Sequence, residues 1–156
     1  MSKNFLIGIF IVCCLIFMMV SVVFPSQALF YYHLLSNGKN IDNKIKVSDG
    51  FAITEVRGNF TFIIRNLGHQ QEQITLVDQN NWSSNHDKAN SNQQIENIPI
   101  DNPNCIAFKK LTDKKQFPDY TYYYPDLGVY LLVFTDLEHS QHDINTLCTA
   151  IESIVR

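Results

Sequence analysis

Charge is absent from residues 5 to 24, which read FLIGIFIVCCLIFMMVSVVF, and a basic stripe is absent throughout. Lys3 is the only charged side chain of residues 1–28. The remainder therefore holds 11 of the 12 basic and all 15 acidic residues, a formal charge of −4. An evenly spread, mildly acidic surface excludes a nucleic-acid partner, which needs clustered Lys and Arg. It also argues against tight electrostatic docking on anionic lipid. The six glycines are scattered singly, and there is no internal repeat. No nucleotide, metal or catalytic motif stands out, so no cofactor and no bound metal are expected.

What is present begins with the uncharged run. Twenty helical residues reach about 30 Å, the thickness of the hydrocarbon core of a bilayer. With Lys3 ahead of the run, the positive-inside rule exports everything that follows. Two fates are open. The run exceeds the usual apolar core of a signal peptide, and Phe30, Tyr31, Tyr32 and His33 follow it like an interfacial belt, which favours a retained anchor. Ser26-Gln27-Ala28 places small residues where a peptidase would cut, just after the helix-breaking Pro25, which favours cleavage after Ala28 and secretion. Val12 precedes Cys13 where a lipoprotein signal needs a small residue, so lipidation by that route is excluded.

The organisation expected is a membrane-targeting segment at 1–28, a short helix and polar linker at 29–50, and a single α+β domain at 51–156. The short helix covers 29–37 and ends near Gly38. Strands are read at 51–56, 60–65 and 73–78, with turns at Gly58-Asn59 and 66–70. Residues 79–104 hold eleven Asn or Gln in 26 positions and read as a long exposed loop. Strands resume at 105–109, 120–124 and 129–136. The last of these is the most apolar and is expected at the sheet centre. Pro125-Asp126-Leu127-Gly128 is a turn in which Pro presets φ and Gly permits a positive one. Ser140 with Asp143 forms a capping-box signature. Ile144, Leu147, Cys148, Ile151, Ile154 and Val155 then share one helical stripe. The expected architecture is a two-layer α+β fold, in which an N-terminal apolar helix precedes about six mainly antiparallel strands and a C-terminal amphipathic helix packs on one face.

Cys105 and Cys148 are the two cysteines beyond the apolar run, and the compartment is oxidising if the segment is exported. A disulfide between them is the favoured reading, with two separate buried thiols as the alternative. A Cys105 nucleophile with His139 or His142 and Asp136 is a third reading that no local motif marks. Asp136, Glu138, His139, His142 and Asp143 cluster ahead of the last helix. Zinc ligation is conceivable there, but acids favouring a helix N-terminus are the simpler account. Tyr120, Tyr122, Tyr123, Tyr124 and Tyr130 form an aromatic-rich hairpin, a candidate contact surface for a protein partner. The favoured function is a membrane-anchored, extracytoplasmic, non-enzymatic binding or assembly module. A cleaved, secreted effector or inhibitor is the alternative, and a small cysteine hydrolase the third.

Overall fold

The computed structural model of the chain describes residues 3–37, 45–82, 94–100, 102–112 and 117–154. Two helices come first, α1 at Lys3–Val23 and α2 at Pro25–Asn37. Pro25 opens α2 rather than standing in a linker, because a first helical position needs no N–H. Ala28 N donates to Phe24 O at 3.0 Å, so the helix starts at the junction. The expected short helix is therefore longer at its start, and Ser26-Gln27-Ala28 lies inside it. Gly38 lies outside the described residues.

Among the described residues nine strands follow: β1 Ile45–Val47, β2 Phe51–Arg57, β3 Phe60–Leu67, β4 Gln70–Asp78, β5 Ile95–Ile98, β6 Ile106–Lys110, β7 Tyr120–Tyr124, β8 Val129–Val133 and β9 Ile151–Ile154. A helical turn, α3, covers 79–82, and α4 covers Gln141–Cys148. The chain is thus α+β. Seven strands form one antiparallel sheet in the order β2-β3-β4-β8-β7-β6-β5, and β1 pairs with β9 as a separate ribbon. As its apolar content implied, β8 is central, buried at all five positions. Gly68 and Gly128 turn the chain at φ of 73° and 64°, where a Cβ would be strained.

Four expectations need correction. The sheet has seven strands rather than about six. Residues 95–98, read as part of the Asn-rich loop, form the edge strand β5; residues 83–93 lie outside the described residues. The linker contains β1. The last helix stops at Cys148 rather than running to Val155. Thr149 and Ala150 donate to Thr146 O and Leu147 O, three-residue bonds that tighten and end the helix. The β-branched Ile151 and Ile154 then pair with Val47 and Ile45, where a pleated ribbon suits them better than a helix.

Side chains alternate across the sheet. Ile63, Ile74, Leu76, Leu131, Val133 and Tyr122 share one buried cluster with Ile144, Leu147 and Cys148 of α4. Each such buried aliphatic contributes about 1.5–3 kcal/mol by leaving water. On the other face Phe30 of α2 packs with Ala52 and Ile64, and Trp82 packs against Val77, Tyr130 and Leu132. Cover on both faces explains why β8 is apolar at all five positions.

By contrast, α1 has few such contacts. Apolar side chains on every side of it are exposed, from Phe5, Phe10 and Leu15 to Met18 and Val23. Among the described residues no helix is long and apolar enough to cross a membrane.

Candidate functional site, a buried polar network beneath α4

The capping box predicted from Ser140 and Asp143 is present. Asp143 N donates to Ser140 Oγ at 3.2 Å, and Ser140 N donates to Asp143 Oδ2 at 3.1 Å. It also reaches further. Arg65 Nη2 donates to Asp143 Oδ1 at 2.6 Å, which ties the helix start to β3. Arg65 Nη1 lies 3.5 Å from Glu72 Oε2, its cross-strand partner on β4. Glu72 Oε1 lies 2.6 Å from His139 Nε2, and His139 Nδ1 lies 2.8 Å from Tyr122 Oη. His139 N donates to Tyr120 Oη at 3.0 Å, and its ring stacks on Tyr120 with centroids 4.0 Å apart.

This network is buried at all but one of its ionisable members. The Glu72 side chain has no exposed surface, His139 retains 3% and Arg65 7%, while Asp143 reaches water with 26%. Uncompensated charge at such depth would be costly, so the partners have to be matched. Burial pushes the Tyr122 phenol far up, and the Glu72 carboxylate adds to the shift. Tyr122 therefore keeps its proton, and the two ring nitrogens of His139 face the phenol on one side and the Glu72 carboxylate on the other. Every polar atom of the imidazole is satisfied. Burial alone would raise the Asp143 carboxyl, but hydrogen bonds from Ser140 and Arg65 and the guanidinium charge outweigh it and bring it down to about 2.

A lowered carboxyl makes stability pH-dependent in one direction. Asp143 stabilises the fold fully above its unfolded value near 3.8 and loses that contribution as the pH falls towards 2. Asp143→Asn is expected to be less stable than the parent at neutral pH and to lose less stability between pH 4 and pH 2. Chemical denaturation at both ends of that interval checks it; parallel pH profiles would refute the assignment.

Chemically, a Glu–His–Tyr chain can pass a proton from phenol to carboxylate. Both ends of this one are buried, Tyr122 at 0% and Glu72 at 2% residue exposure, so no substrate atom reaches them. What the network does is join β3, β4, β7 and the start of α4. The acidic and histidine residues that looked like a group in sequence are dispersed. His139 and Asp143 enter the network at different points, whereas Glu138 pairs with Lys109 on the surface at 2.9 Å. Among the described residues no three His, Cys, Asp or Glu side chains are grouped to hold a metal ion.

The tyrosine hairpin is corrected. Tyr120, Tyr122, Tyr124 and Tyr130 are all buried, so they present no contact surface. Only Tyr123 is half-exposed; its ring lies on Tyr130 and its hydroxyl donates to Gln79. Alternation on a strand that is covered on both faces buries both sets. Burial also raises the Tyr124 phenol, which donates to Leu147 O at the end of α4.

The Sγ atoms of Cys105 and Cys148 are 2.17 Å apart, with Cα atoms at 5.4 Å, the geometry of a disulfide. It clamps the start of β6 to the end of α4. Cys105 is thereby engaged and unavailable as a nucleophile, and His139 is turned to Glu72 instead.

Arg65 and Glu72 were missed in sequence. The signal was there: a hairpin symmetric about Gly68-His69 places residue 65 opposite 72. Both then lie on the side of Ile63 and Ile74, the core side. A cross-strand pair of opposite charge among inward apolar positions is a readable sign of a buried ion pair.

No protein family, curated protein or solved structure matches this chain.

Proposed function

We propose that the chain is a membrane-anchored binding or assembly module whose domain, two-layered with α4 covering one face of the sheet, lies outside the cytosol and contacts a protein partner without catalysing a reaction. The observation that carries this reading is α1, apolar on all sides and exposed, attached to a domain that is otherwise well packed. Such a surface is stable only when covered by lipid or by another apolar partner. The twenty uncharged residues 5–24 match a bilayer in length. The cysteine pair fits an oxidising compartment. With the tyrosines buried, the apolar groups available to a partner are others, notably Ile106, Leu111, Phe134 and Leu137, each more than 40% exposed.

Cleavage after Ala28, giving a secreted effector or inhibitor, is the second reading, favoured by the small residues Ser26 and Ala28. The packing supports retention instead. Ser26 Oγ donates to His69 O at 3.0 Å, Gln71 donates to Ser26 O, and the Phe24 ring stacks on His69. A cut after Ala28 would remove all three contacts between the helix junction and the β3–β4 turn. Fractionation of the native membrane decides between the two. A retained protein stays in the pellet through a carbonate wash with its N-terminus upstream of Phe5, whereas a soluble chain starting at Leu29 would replace this reading with the second.

A further inference from the structure

The outer side of α2 is as unusual as α1. Residues 4–38 contain no Asp, Glu, Lys or Arg. Phe30 points into the domain against Ala52 and Ile64. On the opposite side of the same helix, Leu29, Tyr31, Tyr32 and Leu35 are exposed by 47%, 54%, 56% and 84%. At 100° per residue these four fall within one broad face. An uncharged face of leucine and tyrosine is the composition of a lipid interface, where aromatic hydroxyls meet headgroups and aliphatic groups meet acyl chains. It is also continuous with α1, separated from it by Phe24 alone.

We infer that this outer face of α2 lies in the interfacial layer of the bilayer, so that the domain rests on the membrane through α2. The inference depends on the membrane reading of α1. Length adds a constraint. Were α2 to rise straight from α1, Leu35 would stand about 16 Å beyond Phe24. The headgroup layer on each side is only about 5–8 Å thick. Leu35 reaches lipid only if the chain bends at Phe24-Pro25 and α2 runs along the surface. The docked β3–β4 turn at His69 then sits beside the bend, and α4, on the other face of the sheet, is left to the aqueous side.

Full-length protein in phosphatidylcholine vesicles tests this with three single variants, Phe10→Trp in α1 and Tyr32→Trp and Leu35→Trp in α2, read against the single native Trp82. Phospholipid brominated high on the acyl chain is expected to quench the added emission in all three. Iodide in the buffer is expected to leave positions 32 and 35 unquenched. If position 10 is quenched by bromine but 32 and 35 respond only to iodide, α1 is in lipid and the inference about α2 is wrong. If positions 32 and 35 are shielded from both quenchers and the shielding disappears on dilution of protein in lipid, a second copy covers α2 and the inference is again wrong. If position 10 also escapes bromine, the membrane reading itself falls.

Discussion

Glu72→Ala is expected to destabilise the domain by about 3–5 kcal/mol, the cost of leaving a buried charge without its partner. Three groups lose their complement at once. Arg65 keeps Asp143, His139 Nε2 loses its acceptor, and Tyr122 is left bonded to an imidazole held by its stacking on Tyr120. The size of the effect follows from depth rather than from the number of bonds, since an exposed pair such as Lys109–Glu138 is screened by water and contributes little. The diagnostic comparison is with Arg65→Met combined with Glu72→Met. Removing both charges together and filling the space with apolar atoms should restore much of the loss. Urea unfolding of the full chain in nonionic micelles, followed by the near-ultraviolet signal of the buried tyrosines, measures both. Equal losses in the single and double variants would mean that volume, not charge, decides the effect.

Cys105→Ser is the other large expected effect, a loss of about 4 kcal/mol for releasing a closed loop of some 44 residues. The bridge fastens α4 to the sheet at the end opposite the polar network, so the helix is held at both termini by different chemistry. Cys105 and Cys148 are 3% and 4% exposed, so reductant should act slowly on the folded protein and readily in denaturant. With the chain denatured in detergent but not reduced, a thiol reagent should find two free cysteines, Cys13 and Cys14. Labelling at four positions without reductant, or an unfolding midpoint unmoved by reductant, would exclude the bridge.

Much of the central sheet is legible in the sequence because its rules are local. Alternation, the Gly68 and Gly128 turns and the capping box at Ser140 each depend on neighbours within a few residues, and each is found where the residues place it. The Cys105–Cys148 pairing is legible for a different reason, because two cysteines beyond the apolar run leave each other as the one partner within the sheet domain. What is not legible depends on distant partners. Residues 151–154 continue a helical stripe in sequence, yet β1 lies waiting some hundred positions upstream, and pairing with it wins. Tyr122 and Tyr124 have the composition of a contact surface until the covering α4 is known. The Asn-rich segment looks like an insertion, but it separates β4, beside the centre, from β5 at the far edge, four strand spacings or about 19 Å away.

The sheet thus consists of two meanders, β2-β3-β4 and β5-β6-β7-β8, whose strands join where β4 pairs with β8, from Ile74 opposite Val133 to Asp78 opposite Val129. Each meander closes through connections of nine residues or fewer, whereas the joint waits for residues more than fifty positions apart to meet, the slow kind of event in assembly. During synthesis the first meander is complete while the strand destined to adjoin it is still unmade. The open flank of β4, lined by Ile74, Leu76 and Val77, is in that interval an adhesive edge for any other extended chain. The order in which the halves emerge thus makes residues 74–78 the stretch most in need of protection before the protein is whole.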